Sequence, residues 1–173
     1  MANTRRQGGF TLLEMVIALV VLGLLGAAAG YGLVGGTLAF SETSDAVQTL
    51  GKLRYASERM AREIREIRRD PATPAVYDIA TLNATALAFT KGDGTTVTLT
   101  GTPPLATLAY SAPAGTHTLT DEVGSLAFTY LQADGTTAAT GNADVAFVEL
   151  ELVLTRSGNT YPQRTRVALR NRQ

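Results

Sequence analysis

Cysteine and tryptophan are missing from the 173 residues, histidine occurs once, and 15 acids cancel 15 Lys and Arg. Without cysteine there is no disulfide framework, no thiolate-ligated zinc and no thiol catalysis. His117 is the single imidazole, so a metal site would need mostly oxygen ligands. A net charge of zero with 17% charged residues offers no basic face to phosphates, and no nucleic-acid partner is expected. Gly-rich phosphate loops, paired-carboxylate motifs and nucleophile elbows are also missing. The sequence therefore reads as a non-enzyme with no cofactor, no metal and no catalytic residue.

Charge is missing locally too. From Met15 to Phe40 there is no Asp, Glu, Lys, Arg or His, and the one ionisable group is Tyr31. A helix over that stretch reaches roughly 39 Å at about 1.5 Å per residue, more than a hydrocarbon core of about 30 Å. Arg5 and Arg6 precede the run and orient it with its start in the cytoplasm. Glu14 lies inside its first turn, where a carboxylate at membrane depth costs about 2.5 to 3.5 kcal/mol on insertion scales, so it marks a partner or a function. A cleaved secretory signal, a retained anchor and a pilin-like leader all begin with such a segment.

The order Arg5-Arg6-Gln7-Gly8-Gly9-Phe10-Thr11-Leu12-Leu13-Glu14 resembles the class III leader of type IV prepilins and type II secretion pseudopilins. Gly9, Phe10, Thr11, Leu12 and Glu14 match the family pattern position for position. The resemblance implies a leader over 1–9, cut between Gly9 and Phe10 by a prepilin peptidase that methylates the new amine. It implies a membrane and filament-core helix over 10–40, held in the inner membrane with a periplasmic head until an assembly platform extracts it into a filament. Glu14 would then set register by facing the Phe10 ammonium of an adjacent subunit. Implied partners are other pilin or pseudopilin subunits, the peptidase, the inner-membrane assembly platform and, before assembly, membrane lipid. The competing reading takes Arg5-Arg6 as part of a twin-arginine or Sec signal cut at Ala27-Ala28-Ala29, or as a plain anchor, giving a periplasmic binding module with no filament role. It leaves Glu14 unexplained.

A second helical stretch spans 41–70. Ala46, Leu50, Leu53, Ser57, Met60, Ile64 and Ile67 recur every three or four residues and predict one buried face. Ser41 or Ser44 can cap it, and Asp70-Pro71 can end it. Gly30, Gly32, Gly35 and Gly36 lie between the two stretches, each costing about 0.8 to 1 kcal/mol of helix relative to Ala. The stretches either join as one long helix with close packing through these small residues, or the join melts or bends. Arg59/Glu63, Glu58/Arg62 and Arg62/Glu66 stand at i,i+4 and predict a solvated, self-paired face.

From 71 to 173 the composition turns to Thr, Ala, Gly, Val and Leu, and predicts an antiparallel sheet head. Expected strands are Leu87 to Thr90, Thr96 to Thr100, Leu126 to Leu131, Val145 to Thr155 and Tyr161 to Arg170. A Gly158-Asn159 turn would set Leu150 opposite Val167, Leu152 opposite Thr165, Val148 opposite Leu169 and Glu151 opposite Arg166, with Glu149 diagonal to Arg166. The apolar face would cover the amphipathic helix, with Phe128, Phe147, Leu152, Met60 and Ile64 in the core. The expected fold is thus α+β, a long N-terminal helix packed against an antiparallel head. The last strands are similar to the heads of minor pilins and J-type minor pseudopilins. That likeness implies a low-abundance subunit that initiates or caps assembly of a type IV pilus or type II secretion pseudopilus, placed at the filament tip. His117 reads as an exposed hairpin or loop residue, and Asp134, Asn142 and Asp144 match no calcium-loop spacing.

Overall fold

The structure, a computed structural model, describes residues 9–169. One helix, α1 (Leu12–Ile64), is followed by strands β1 (Ile79–Leu82), β2 (Ala86–Thr90), β3 (Thr96–Thr102), β4 (Leu105–Ser111), β5 (Ala114–Thr120), β6 (Val123–Leu131), β7 (Phe147–Arg156) and β8 (Asn159–Ala168). The α+β class expected from the sequence is the one observed. The chain divides into two compact units, one through Ser44 and one from Asp45.

The first unit is helix from Leu12 onward, and its apolar side chains are exposed throughout. The two helical stretches are one uninterrupted helix, so neither Ser41 nor Ser44 is a cap. Gly30, Gly32, Gly35 and Gly36 are all helical, and among the described residues nothing lies within 4 Å of the positions their β-carbons would occupy.

In the second unit Thr49, Leu53, Ala56, Ser57, Met60, Ala61, Glu63 and Ile64 form the buried helix face. Leu53, Ser57, Met60 and Ile64 lie on it as expected; at its start Leu50 is 49% exposed while Thr49 is buried. The Thr49 hydroxyl donates to Glu122 Oε2 at 3.2 Å in the β5–β6 turn. Ser57 sits in the core without an unpaired hydroxyl, since its Oγ donates to the Leu53 carbonyl at 2.6 Å. The helix ends at Ile64 rather than at Asp70, as strand pairing competes for the chain: Ile67 bridges Lys91, and the Arg68 N–H donates to the Thr90 carbonyl at 3.0 Å. Asp70-Pro71 instead forms an Asx turn, with the Ala72 N–H donating to Asp70 Oδ1 at 2.9 Å.

The strands form two antiparallel meanders, β1-β2-β3-β4-β5 and β6-β7-β8. The expected strands correspond to β2, β3, β6, β7 and β8, although β7 begins at Phe147 rather than Val145; Arg170 lies outside the described residues. β1, β4 and β5 were not expected, because their Thr, Ala and Gly residues dilute the apolar alternation. The last hairpin turns at Ser157-Gly158, not Gly158-Asn159, with φ of 50° and 80° at the two positions, as a type I′ turn requires. Its register is therefore two residues from the expected one. Leu150 faces Thr165, Leu152 faces Gln163, Val148 faces Val167, Glu151 faces Arg164 and Glu149 faces Arg166. A shift of two keeps each side chain on its expected face. Val148, Leu150, Leu152 and Leu154 are buried, while Glu149 and Glu151 pair outside with Arg166 (2.9 Å) and Arg164 (2.8 Å). Phe147 lies on the outer series with the glutamates and is half-buried, so it is not a core residue; Phe128, Leu152, Met60 and Ile64 are.

The helix and both sheets share one hydrophobic core. β6 abuts the first sheet, where the Phe128 N–H donates to the Ala84 carbonyl at 2.7 Å and the Val123 N–H to the Pro104 carbonyl at 2.9 Å. Tyr130 lies beside this seam with its hydroxyl donating to the Asn83 carbonyl at 2.8 Å, and burial pushes its pKa up to about 12. The folded state thus keeps the phenol proton that the unfolded chain releases near pH 10, so this contribution is intact below pH 10 and is lost as pH rises towards 12. Ultraviolet titration of phenolate should show a late ionisation step near pH 12 that Tyr130→Phe removes while the other tyrosines, the raised Tyr110 among them, still titrate. A titration unchanged by that substitution would contradict the assignment.

Candidate functional site: the start of the helix

Thr11 ends the irregular segment and begins the helix. Its Oγ1 accepts from the Glu14 N–H at 3.3 Å, and its carbonyl accepts from the Met15 N–H at 3.2 Å, which makes Thr11 the N-cap and places Glu14 at the third helical position. Thr-x-x-Glu is the capping-box spacing, and an acid in the first turn also opposes the positive end of the helix dipole. Glu14 therefore has a local helix-starting position that its membrane cost did not reveal, although the Thr-x-x-Glu spacing was readable in the sequence.

Gly9 and Phe10 lie directly before the cap, Phe10 at 79% exposure. Gly9 and Phe10 thus stand just outside the helix whose third position is Glu14. Arg5 and Arg6 lie outside the described residues. Beyond Glu14 the helix presents Met15, Ile17, Val20, Leu24 and their neighbours to the outside on every side. It is long and apolar enough to cross a membrane, with a mean hydropathy of 2.5 over its most apolar window and none of that window buried in the chain. An all-round apolar surface of this length is covered in use by lipid or by other helices.

The head carries charge clusters of a different kind. Glu63 is almost fully buried; Arg59 Nη2 lies 2.8 Å from its Oε1, the Tyr110 hydroxyl donates to the same oxygen at 2.8 Å, and Lys91 Nζ lies 3.2 Å from Oε2 without good hydrogen-bond geometry. Arg59 also donates to the Tyr110 hydroxyl at 2.6 Å, and Lys91 reaches Glu66 at 2.7 Å. Burial works to lower the Lys91 pKa, but Glu66 and Glu63 outweigh it and hold it above the ordinary value. Burial and the bond to Glu63 raise the Tyr110 phenol. The expected self-paired helix face is corrected here. Arg59/Glu63 does form, but Glu58 pairs with Arg54 one turn earlier on the same helix, and Glu66 pairs with Lys91, which lies at the end of β2. Sequence spacing could not reveal contacts to β2–β3 and β4.

A second cluster surrounds Glu122, whose φ is 65°. Lys52 (2.9 Å) and Arg156 (2.9 Å) reach its Oε1, while Lys52 also reaches Asp121 (2.6 Å) and Arg156 reaches Asp45 (2.7 Å). These contacts fasten the first turns of the head's helix to the strand ends.

His117 is exposed on β5, its ring edge-on to Tyr110 at 6.1 Å between centroids. Asp134 accepts from Thr136 and Thr137, which hold its carboxyl well below the usual range; Asp144 accepts from Thr140, and the Asn142 amide donates to the Ile79 carbonyl. These groups stabilise turns. Among the described residues no three His, Cys, Asp or Glu are grouped to hold a metal ion.

The family described as the prokaryotic N-terminal methylation motif matches residues 4–30. No curated protein matches the chain. The match covers the basic start, Gly9, Phe10, Glu14 and the first half of the apolar segment. With the long exposed helix, it supports a type IV pilin-like protein, processed by prepilin peptidase and anchored in the inner membrane with a periplasmic head. It also suggests a structural rather than an enzymatic role.

Proposed function

We propose that the chain is a minor structural subunit of a type IV pilus or type II secretion pseudopilus, cut between Gly9 and Phe10, methylated at Phe10 and active at the start or tip of the filament. The observation that carries this reading is the methylation motif running directly into an apolar helix that the rest of the chain leaves uncovered. In this reading residues 1–9 are leader, 10–40 membrane and filament core, 41–70 the support of the head, helical as far as Ile64, and 71–173 the sheet head. Arg5 and Arg6 hold the leader in the cytoplasm.

Glu14 then has two successive partners. Before assembly it lies at the helix N-terminus beside the Thr11 cap. In the filament its carboxylate meets the methylated Phe10 ammonium of a neighbour, and each charge neutralises the other inside an apolar core. The arrangement selects one axial register, since any other leaves both charges buried and unpaired. The J-type likeness of the last strands and the lack of a cysteine-closed loop support the minor-subunit role over a major one.

Intact mass of the protein from its host's membranes and sheared surface fraction tests the processing. A chain beginning at N-methylated Phe10 is expected, whereas an uncut chain, or one beginning near Gly30, sinks the reading. Glu14→Ala should leave membrane insertion intact while removing the subunit from the filament fraction. Normal incorporation of that variant would refute the role given to Glu14.

A further inference from the structure

The two sheets have four outer edges, and three are closed. At β6 the seam bonds from Phe128 and Val123 to the first sheet take up the edge. β1 is four residues long, carries a bulge, and has its Ile79 carbonyl capped by Asn142. On β8, the Leu169 N–H donates to the Ala146 carbonyl (2.9 Å), and carrying the alternation along the strand turns Thr160, Pro162, Arg164 and Arg166 outward. Proline removes one outward donor there, and two arginines follow it along the edge, the usual guards against edge pairing.

β5 is open over most of its length. It is seven residues long, ends its sheet and contains neither proline nor a formal charge, and its one bulge lies at Leu119, past the Ala114 to Thr118 stretch. Between Asp93 and Asp121 the sequence has no Asp, Glu, Lys or Arg, so β3, β4 and β5 bring no like charges to a second copy. The Lys91 N–H donates to the Thr95 carbonyl (2.9 Å) and closes the β2–β3 hairpin; the alternation carried across β3 and β4 turns the backbone of Ala114, Thr116 and Thr118 outward. Among the described residues no hydrogen bond from another element reaches these three.

We infer that the β5 edge pairs antiparallel with β5 of a second copy about a two-fold axis at Thr116. In that register Thr116 faces its own copy and Ala114 faces Thr118, so each outward N–H and C=O gains a partner. The non-hydrogen-bonded pairs set the His117 ring opposite Gly115, bulk against a missing side chain; within the chain that ring already leans over Gly115, whose β-carbon would lie 3.3 Å from His117 Nε2. Thr116 against Thr116 is a favourable cross-strand pair. Subunits within a helical filament are related by a screw, not a two-fold, so this contact joins subunits of different filaments or unassembled subunits in the membrane.

The cysteine-free chain allows a direct test. The full chain carrying Thr116→Cys, purified in detergent and mildly oxidised, should form a disulfide dimer, because directly opposed residues in such a pair lie about 5.5 Å apart at Cα. Thr160→Cys on the guarded β8 edge should stay monomeric. Dimer from both variants, or from neither, overturns the inference. Light scattering gives an independent reading: the wild-type protein mass should correspond to two copies and fall to one with Thr116→Lys or Thr116→Pro, both of which leave the β4–β5 ladder intact. A mass unchanged by these variants also overturns it.

Discussion

Gly101→Ala should be among the most damaging single-methyl additions in the head. A β-carbon there would lie 2.2 Å from Leu126 Cβ and 2.8 Å from Leu126 Cδ2, at the seam where β3 of one sheet meets β6 of the other. The nearest atom is bonded to the backbone, so no rotamer change relieves the clash and β6 itself must shift. Overpacking of this kind costs about 1–3 kcal/mol, and the immobile partner puts this case at the upper end. At roughly 2–4 °C per kcal/mol, the unfolding midpoint should fall by about 10 °C. Gly141→Ala, where nothing lies within 4 Å, should change little. Leu126→Ala should fail to rescue Gly101→Ala, because it keeps the offending β-carbon. Rescue would show that only the outer atoms of Leu126 are in the way.

The second large effect is expected at Glu63. Removing its carboxylate with Glu63→Ala leaves Arg59 and Lys91 facing the buried site with no anion between them, and leaves the Tyr110 hydroxyl without its acceptor. Breaking a buried charge network from one side typically costs about 3–5 kcal/mol. Lys91 keeps its pair with Glu66 at 2.7 Å, so Arg59 and the Tyr110 hydroxyl bear most of the loss. Arg54→Ala, which breaks the exposed pair with Glu58, should be nearly silent. Denaturant titration of the two variants checks the order. A Glu63→Ala protein as stable as Arg54→Ala would show that the network carries no net stabilisation.

The N-terminal segment was legible in the sequence because its signals are local: two arginines, a glycine before a phenylalanine, one acid and an unbroken apolar run. The amphipathic face of the helix was legible from Leu53 to Ile64 and missed only at its start, where Thr49, bonded to Glu122, is buried in place of Leu50. The last hairpin was recognised with its faces correct and its register wrong by two, because the turn falls at Ser157-Gly158 and not at the more glycine-like Gly158-Asn159 pair. β4 and β5 went unseen, since strands of Thr, Ala and Gly owe their pairing to neighbours already in place and not to their own pattern. Of the Glu63 network only the i,i+4 pair with Arg59 was legible, for a related reason: Tyr110 and Lys91 come from other elements. At the helix start, the Thr11 cap and the acid at Glu14 occupy one motif, and the membrane argument for Glu14 hid the simpler capping one.

One helix in the structure need not behave as one cooperative unit. From Gly26 to Gly36 it carries five glycines, and among the described residues nothing lies within 4 Å of where their β-carbons would be. Between Asp45 and Ile64 the same helix is bound by Arg156, Glu122, Asp121 and the shared core. An unwinding front that starts at the glycines would meet side-chain resistance only near Asp45. The stretch before it can therefore lose its helix without the head unfolding, and a far-ultraviolet circular dichroism melt in mild detergent should lose ellipticity in two stages from a single continuous helix.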